Sequence, residues 1–335
     1  MATTTLASIY HAPTLASYFV RDPVERTALM DSGAFTQTDE AQAIITALAN
    51  STGGGLVELP FWEAIDASIE PNYSNDVYQD IAVPRAVGTG VLRARIAYLN
   101  EGFQAARFVQ LATQKDPLAY VASVIDNFWA RQAQRRAIAT AIGIYNANVA
   151  QDASDMVYDA EDASPTQGLV YAEGTMGDAG GIVAYAMHSS VRTRLMIEGL
   201  IEKWVNPLNG ASYETYNGKA VVVDDGLPLV SAGTKRLTIL MGAGAFAYAM
   251  SSPVKSEALD EEEARGNGGG VDTLWTRRNL IVHPHGYDFT STSITGNGTE
   301  TTPRSAGWTD LLNTANWERS ADRKAVRMAF MLTDV

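Results

Sequence analysis

The longest patterned stretch of the chain lies between residues 116 and 149. Asp116-Pro117 sets a capping carboxylate before a proline suited to the first helical position. From there to about Val149 no further proline occurs, and Gly143 is the one glycine. Leu118, Val121, Ile125 and Phe128 recur at helical spacing, and Ile138, Ile142, Tyr145 and Val149 continue the stripe. About 33 residues rising 1.5 Å each predict a rod of roughly 50 Å. Heptad spacing is not kept, so the expectation is a spine packed along one face rather than a coiled coil.

A different period precedes it. GVLRARIAYL, 90–99, alternates Val91, Arg93 and Arg95 against Leu92, Ala94 and Ile96, which predicts a strand with one polar face. Its expected partner is ASIEPNYS, 67–74, with the turn chemistry of VPRAVGTG, 83–90, between them. Such a hairpin is too thin to stand alone and must rest on a neighbour. The first 65 residues show two short helical stretches, Asp22 to Asp31 and Asp39 to Ala49, then Gly53 to Gly55 and the apolar LVELPFWEAI. With so little periodic structure this segment cannot bury a core, and it reads as an arm lying across something else.

Beyond the spine, the acidic run from Asp152 to Asp162 leads into mixed short elements. GIVAYAM, KAVVVDD and TILMGAGAFAYAM predict strands; MHSSVRTRLMIEGLIEKW predicts a helix starting near Ser189 or Ser190. LDEEEARGNGGG, 259–270, reads as a solvated loop. NLIVHPHGYDF and AVRMAFMLTD predict returning strands, with a short helix near Asn316 between them. Strands from both halves of the chain, with helices segregated, indicate an α+β fold.

Composition narrows the function classes. The 335 residues contain no cysteine, which excludes disulfide frameworks, thiol nucleophiles and cysteine-rich metal sites. No apolar run approaches the length of a membrane helix, and the N-terminus lacks the basic start and greasy stretch of a secretory signal. The net charge is −13, and residues 151–272 carry 18 acids against 8 bases. Such a chain has no electrostatic footprint for gripping a phosphate backbone. The charged fraction is 19%, and 19 of the 25 basic residues are arginine. Subunit interfaces favour arginine over lysine, so this balance agrees with a surface covered by neighbouring copies, and equally with compositional drift.

No catalytic constellation emerges. His283-Pro284-His285 could present two imidazoles, too few for a metal site with no acid placed beside them. His188-Ser189 pairs a base with a hydroxyl but offers no third residue to orient it, and a helix cap is the simpler reading. Asp224-Asp225 before Gly-Leu-Pro reads as a turn, and Gly242-Ala-Gly244 lacks the third glycine of a dinucleotide loop. Asp260 to Glu263 lacks the spaced oxygen ligands of a calcium loop. The sequons at Asn50 and Asn297 carry no weight without a secretory signal. No cofactor and no metal are expected.

The order of short motifs resembles the major capsid proteins of tailed bacteriophages, with their Hong Kong 97-type shell fold. The motifs are GGGLVELPFW at 53–62, KDPLAYVASVIDNFWARQAQRRAIATAIGIY at 115–145, MHSSVRTRL at 187–195 and YNGKAVVVDD at 216–225. GAGAFAYAM at 242–250, RRNLIVHPHGYDFT at 277–290 and NWERSADRKAVRM at 316–328 complete the series. The resemblance implies an N-terminal arm at 1–65 and an extended loop at 66–100. It further implies the spine helix of a peripheral domain at 101–164, an axial domain at 165–270, and peripheral return strands at 271–335. It implies a shell of hexamers and pentamers in the virion, assembled in the bacterial cytoplasm. The implied partners are other copies of itself, a portal, scaffolding or decoration proteins, and enclosed double-stranded DNA held without tight binding, with no membrane. In some relatives a Lys–Asn bond joins subunits; none of the six lysines here lies in the hairpin, so none is expected.

Candidate subunit contacts are Arg85, Arg93 and Arg95 on the hairpin, and Arg135 and Arg136 on the exposed side of the spine. Phe61 and Trp62 are candidate apolar anchors, as are Phe128 and Trp129, with Phe128 favoured as core. Two alternatives stand beside this reading. One is an encapsulin-like cellular compartment of the same fold; the other is an unrelated soluble enzyme using His188, His283 and Asp224.

Overall fold

The computed structural model describes residues 69–290 and 305–334 with short interruptions at 114, 162–163, 180, 206–211 and 254, and additionally strands Phe35–Thr36 and Leu56–Trp62 and residues 65 and 294. The helical stretches expected at 22–31 and 39–49 and both sequons lie outside the described residues.

The spine helix runs Pro117–Gln151, and Asp116 caps it by accepting a 2.8 Å hydrogen bond from the Leu118 N–H. Its first half buries one side only, through Ile125 and Trp129, while Leu118, Val121 and Phe128 are half-buried. From Ala133 to Asn148 nearly every face is covered. The short helix Trp308–Leu312 lies so close to the spine that a Cβ on Gly143 would sit 1.9 Å from the Leu311 carbonyl oxygen. Glycine is required there by proximity, since no side chain fits between the two backbones. Val149, expected on the buried stripe, is exposed, while Ala147 and Asn148 beside it are buried.

An eight-stranded sheet forms the larger layer. Its order is Val157–Asp159, Met328–Asp334, Lys235–Gly242, Ile182–Met187, Lys219–Val223, Ser212–Tyr216 and Glu202–Val205, with Leu229–Val230 added on Lys235–Gly242. Its central strands are buried on both faces, which explains their continuous apolar sequences. One face packs Ile239, Met241 and Phe330 against Ile138, Ile142 and Tyr145 of the spine. The other packs Tyr185, Leu240 and Met331 against Leu169 and Leu195 of the helices Pro165–Gly174 and Ser189–Ile197.

The second sheet has five strands organised on the 14-residue strand Val271–Pro284. Ala97–Ala106 pairs along one side of it; Glu257–Glu262 and Phe246–Ser251 share the other. Phe35–Thr36 pairs with Phe246–Ser251. The chain leaves the first sheet at Gly242 and enters the second at Phe246, with Gly244 at φ +67° in the turn. The Gly-Ala-Gly motif therefore redirects the backbone between sheets.

Several expectations are corrected. The partner of Thr89–Arg95 is Leu56–Trp62, antiparallel with Leu56 opposite Arg95, not ASIEPNYS. LDEEEARGNGGG is a solvated loop only in its second part: 263–269 is an exposed turn, but Glu257–Glu262 is a strand, held because Arg107 bridges Glu261 at 3.0 Å, Glu263 at 2.6 Å and Asp272 at 2.8 Å. Carboxylates pairing with one guanidinium tolerate a strand that their mutual repulsion would otherwise oppose. The helix after His188 stops at Ile197, where Gly199 turns left-handed at φ +71°, and Glu202–Val205 is a strand. The strand Met328–Asp334, grouped in sequence with the peripheral return strands, lies inside the sheet built mainly from 182–242.

Candidate functional site

The predicted alternation at 90–99 is present. Val91 and Arg93 are exposed and Arg95 half-exposed, whereas Ala94 and Ile96 are buried with Ala249 and Ile281. One face of the strand thus anchors to the second sheet, and Val91 and Arg93 on the other face outward. The anchor extends to the Arg93 N–H, which donates to Asp288 Oδ1 at 3.4 Å, and to the Tyr98 N–H, which donates to Ser305 Oγ at 2.8 Å.

Between the two hairpin strands the described residues 69–88 have no core. Tyr73, Tyr78, Ile81 and Val83 are 77%, 97%, 87% and 71% exposed. Polar contacts alone shape the segment. Asn72 Nδ2 donates to the Val83 carbonyl at 3.0 Å, and Asn75 Nδ2 to Asp80 Oδ2 at 2.6 Å. Arg85 donates across the loop to the carbonyls of Ile69 and Glu70. Its first role is therefore a brace within the hairpin. The segment is a braced extension that exposes several large apolar side chains and buries none of them.

The other candidates separate. Phe61 and Trp62 occupy hairpin register positions opposite Gly90 and Thr89. Phe128 packs edge-on to Phe103 and to Trp129, and Trp129 Nε1 donates to Thr276 Oγ1 at 3.2 Å, so this pair belongs to the body. Arg135 is exposed and stacks 5.6 Å from the ring centre of Trp308. Arg136 was expected beside it on the exposed side, and the structure corrects this: Arg136 is buried and donates to the Ala306 carbonyl at 2.7 Å. Adjacent helical residues point about 100° apart, so an arginine doublet cannot share one face. Burial lowers the Arg136 pKa to about 10, partly offset by Asp310, so it remains charged at neutral pH.

The enzyme alternative finds no site in the residues offered for it. His188 caps its helix by accepting from the Ser190 N–H at 3.1 Å, which occupies the ring nitrogen nearest the serine hydroxyls. Asp225 accepts from the Ser189 N–H at 3.1 Å, and Asp224 closes a turn by accepting from the Gly226 N–H at 2.7 Å. His283 is fully buried, and desolvation drives its pKa down to about 3, so the ring is neutral. Among the described residues no group of three metal-ligating side chains occurs, and no helix is long and apolar enough to cross a membrane.

Comparison with solved structures defines the class. The chain superposes on the capsid of cyanophage Pam1 with a TM-score of 0.54, at 10% identity, over 99% of each chain. The capsid of cyanophage P-SCSP1u gives a TM-score of 0.52 at 10% identity, over 84% of this chain and 92% of that one. The fold is the α+β Hong Kong 97-type fold of phage capsid shells. No family model matches the sequence. The chain is 28% identical over 334 residues to the major capsid protein of Bacillus phage SPP1, covering 98% of this chain and 97% of that protein.

Proposed function

We propose that this chain is the major capsid protein of a tailed double-stranded DNA bacteriophage, self-assembling into the icosahedral head shell of the virion. The observation that carries the reading is the full-length similarity to a phage major capsid protein, on a body that leaves one apolar extension without cover. The protein is structural, not enzymatic.

In this reading the hairpin 56–95 lies over an adjacent subunit, residues before it form an arm beneath another, and the shell consists of hexamers and pentamers. A portal and scaffolding or decoration proteins complete the particle, and assembly takes place in the host cytoplasm. The −13 charge supports a wall that repels packaged DNA and lets it move, rather than one that grips it. The viral relative favours a genome container over an encapsulin-like compartment.

Expression of the chain followed by analytical sedimentation and electron microscopy tests this directly. The expected result is closed shells of hundreds of subunits, alone or with a co-expressed scaffold. A compact monomer with the hairpin folded against its own body overturns it. Particles purified from the native source that hold a protein cargo in place of DNA replace it with the compartment reading.

A further inference from the structure

A cavity of about 20 Å³ lies where the hairpin root meets the body. Arg95 and Ile96 reach it from the hairpin strand, Arg136 and Thr140 from the spine helix, and Val282 and His283 from the long strand of the second sheet. The rest of the wall is aliphatic and aromatic, and no carboxylate lines it among the described residues.

The polar groups here are mismatched among themselves. Thr140 Oγ1 and His283 Nε2 are buried without a hydrogen-bond partner among the described residues. Arg136 is 8% exposed, donates to one backbone carbonyl among the described residues, and is favoured in its charged form by Asp310. A buried guanidinium so weakly compensated is strongly unfavourable unless a negative charge lies near. The cavity is small, which favours a water or a monatomic ion over a polyatomic anion. A water would serve Thr140 and His283, but two guanidiniums, Arg95 and Arg136, line the cavity against the one acid, Asp310, that acts on Arg136, and a monatomic anion suits that excess of positive charge better.

We propose that this cavity is a binding site for a single halide-sized anion, chloride under ordinary conditions. Arg136 N–H, Thr140 O–H and the Nε2–H tautomer of His283 are its donors, and Arg95 faces it from the hairpin side. Because the walls come from hairpin, spine and long strand together, the ion fastens the extension to the body. The site is independent of the reading of the protein as a capsid subunit.

Thermal unfolding of the purified full-length chain tests it in sodium chloride, sodium bromide and sodium gluconate at equal ionic strength. Chloride and bromide are expected to raise Tm by about 2–4 °C over gluconate. Arg136→Gln and Thr140→Val are expected to remove most of that difference; should Arg136→Gln fail to fold, Thr140→Val alone carries the comparison. Equal Tm values in chloride and gluconate overturn the proposal in favour of a lone water. A halide effect undiminished in the folded variants places the ion elsewhere and also overturns it.

Discussion

The strand Lys235–Gly242 and the hairpin segment 69–87 both carry large apolar side chains, and they meet opposite fates. Leu237, Ile239, Leu240 and Met241 are buried between two strands and under helices on both faces. Tyr73, Tyr78 and Ile81 face solvent on a segment shaped by hydrogen bonds, from Asn72 to the Val83 carbonyl, Tyr73 to Glu70, Asn75 to Asp80 and Arg85 to the Ile69 carbonyl. Apolar side chains gain by leaving water wherever cover is offered, but their own chain need not supply it. In the body the cover is internal. In the hairpin the described residues supply none.

Breaking the body should have the largest effect. Gly143→Ala drives a Cβ into the Leu311 carbonyl and also crowds Trp317 Nε1, which donates to that oxygen. A destabilisation of about 3 kcal/mol or more is expected, read as loss of soluble folded protein or a steep fall in Tm. The hairpin should behave in reverse. Tyr78→Asp with Ile81→Asp changes side chains that touch no core, so Tm of unassembled subunits should move by no more than that of a surface change, about 0.5 kcal/mol. Shell formation should nevertheless be abolished in sedimentation. A double variant that assembles normally would remove the distinction between the regions.

A third prediction uses acid. Burial raises the Asp155 carboxyl, but hydrogen bonds from Arg319 and Asn148 outweigh it and hold the group below the usual carboxylate range. A depressed folded pKa gives stability that is complete above the unfolded value near 3.9 and disappears as pH falls through the folded one. Tm measured against pH should therefore drop below about pH 4 in the wild type. Asp155→Asn should start lower at neutral pH and fall less on acidification. The smallest effect is expected from Arg135→Ala, which removes the guanidinium over Trp308 at a cost of about 0.5–1 kcal/mol by chemical denaturation.

These regions were not equally legible in sequence. The spine announced itself because Asp116-Pro117 and a long stretch free of breakers are local signals, and the alternation at Val91 to Ile96 is local too. What stayed hidden depended on distant residues. LVELPFW gave no strand signal of its own, with Pro60 arguing against one, and its partner lies about 30 residues on. The acidic strand Glu257–Glu262 looked solvated because the cation that holds it, Arg107, is more than 150 residues away. Arg136 looked like surface because only the tertiary structure brings Ala306 and Leu311 against that side of the helix. Subunit contacts were the least visible of all, since side-chain type says which surfaces are sticky but not which copy meets them.

The position of Met328–Asp334 sets a schedule for how the molecule comes into being. It hydrogen-bonds Lys235–Gly242 on one side and Val157–Asp159 on the other, so the edge strand Val157–Asp159 joins the sheet only once residues roughly ninety positions beyond Lys235–Gly242 arrive. Pairing over such separations is slow and comes late in folding. A nascent chain still short of that strand has a sheet left open along Lys235–Gly242, and Val157–Asp159 has no strand to pair with there.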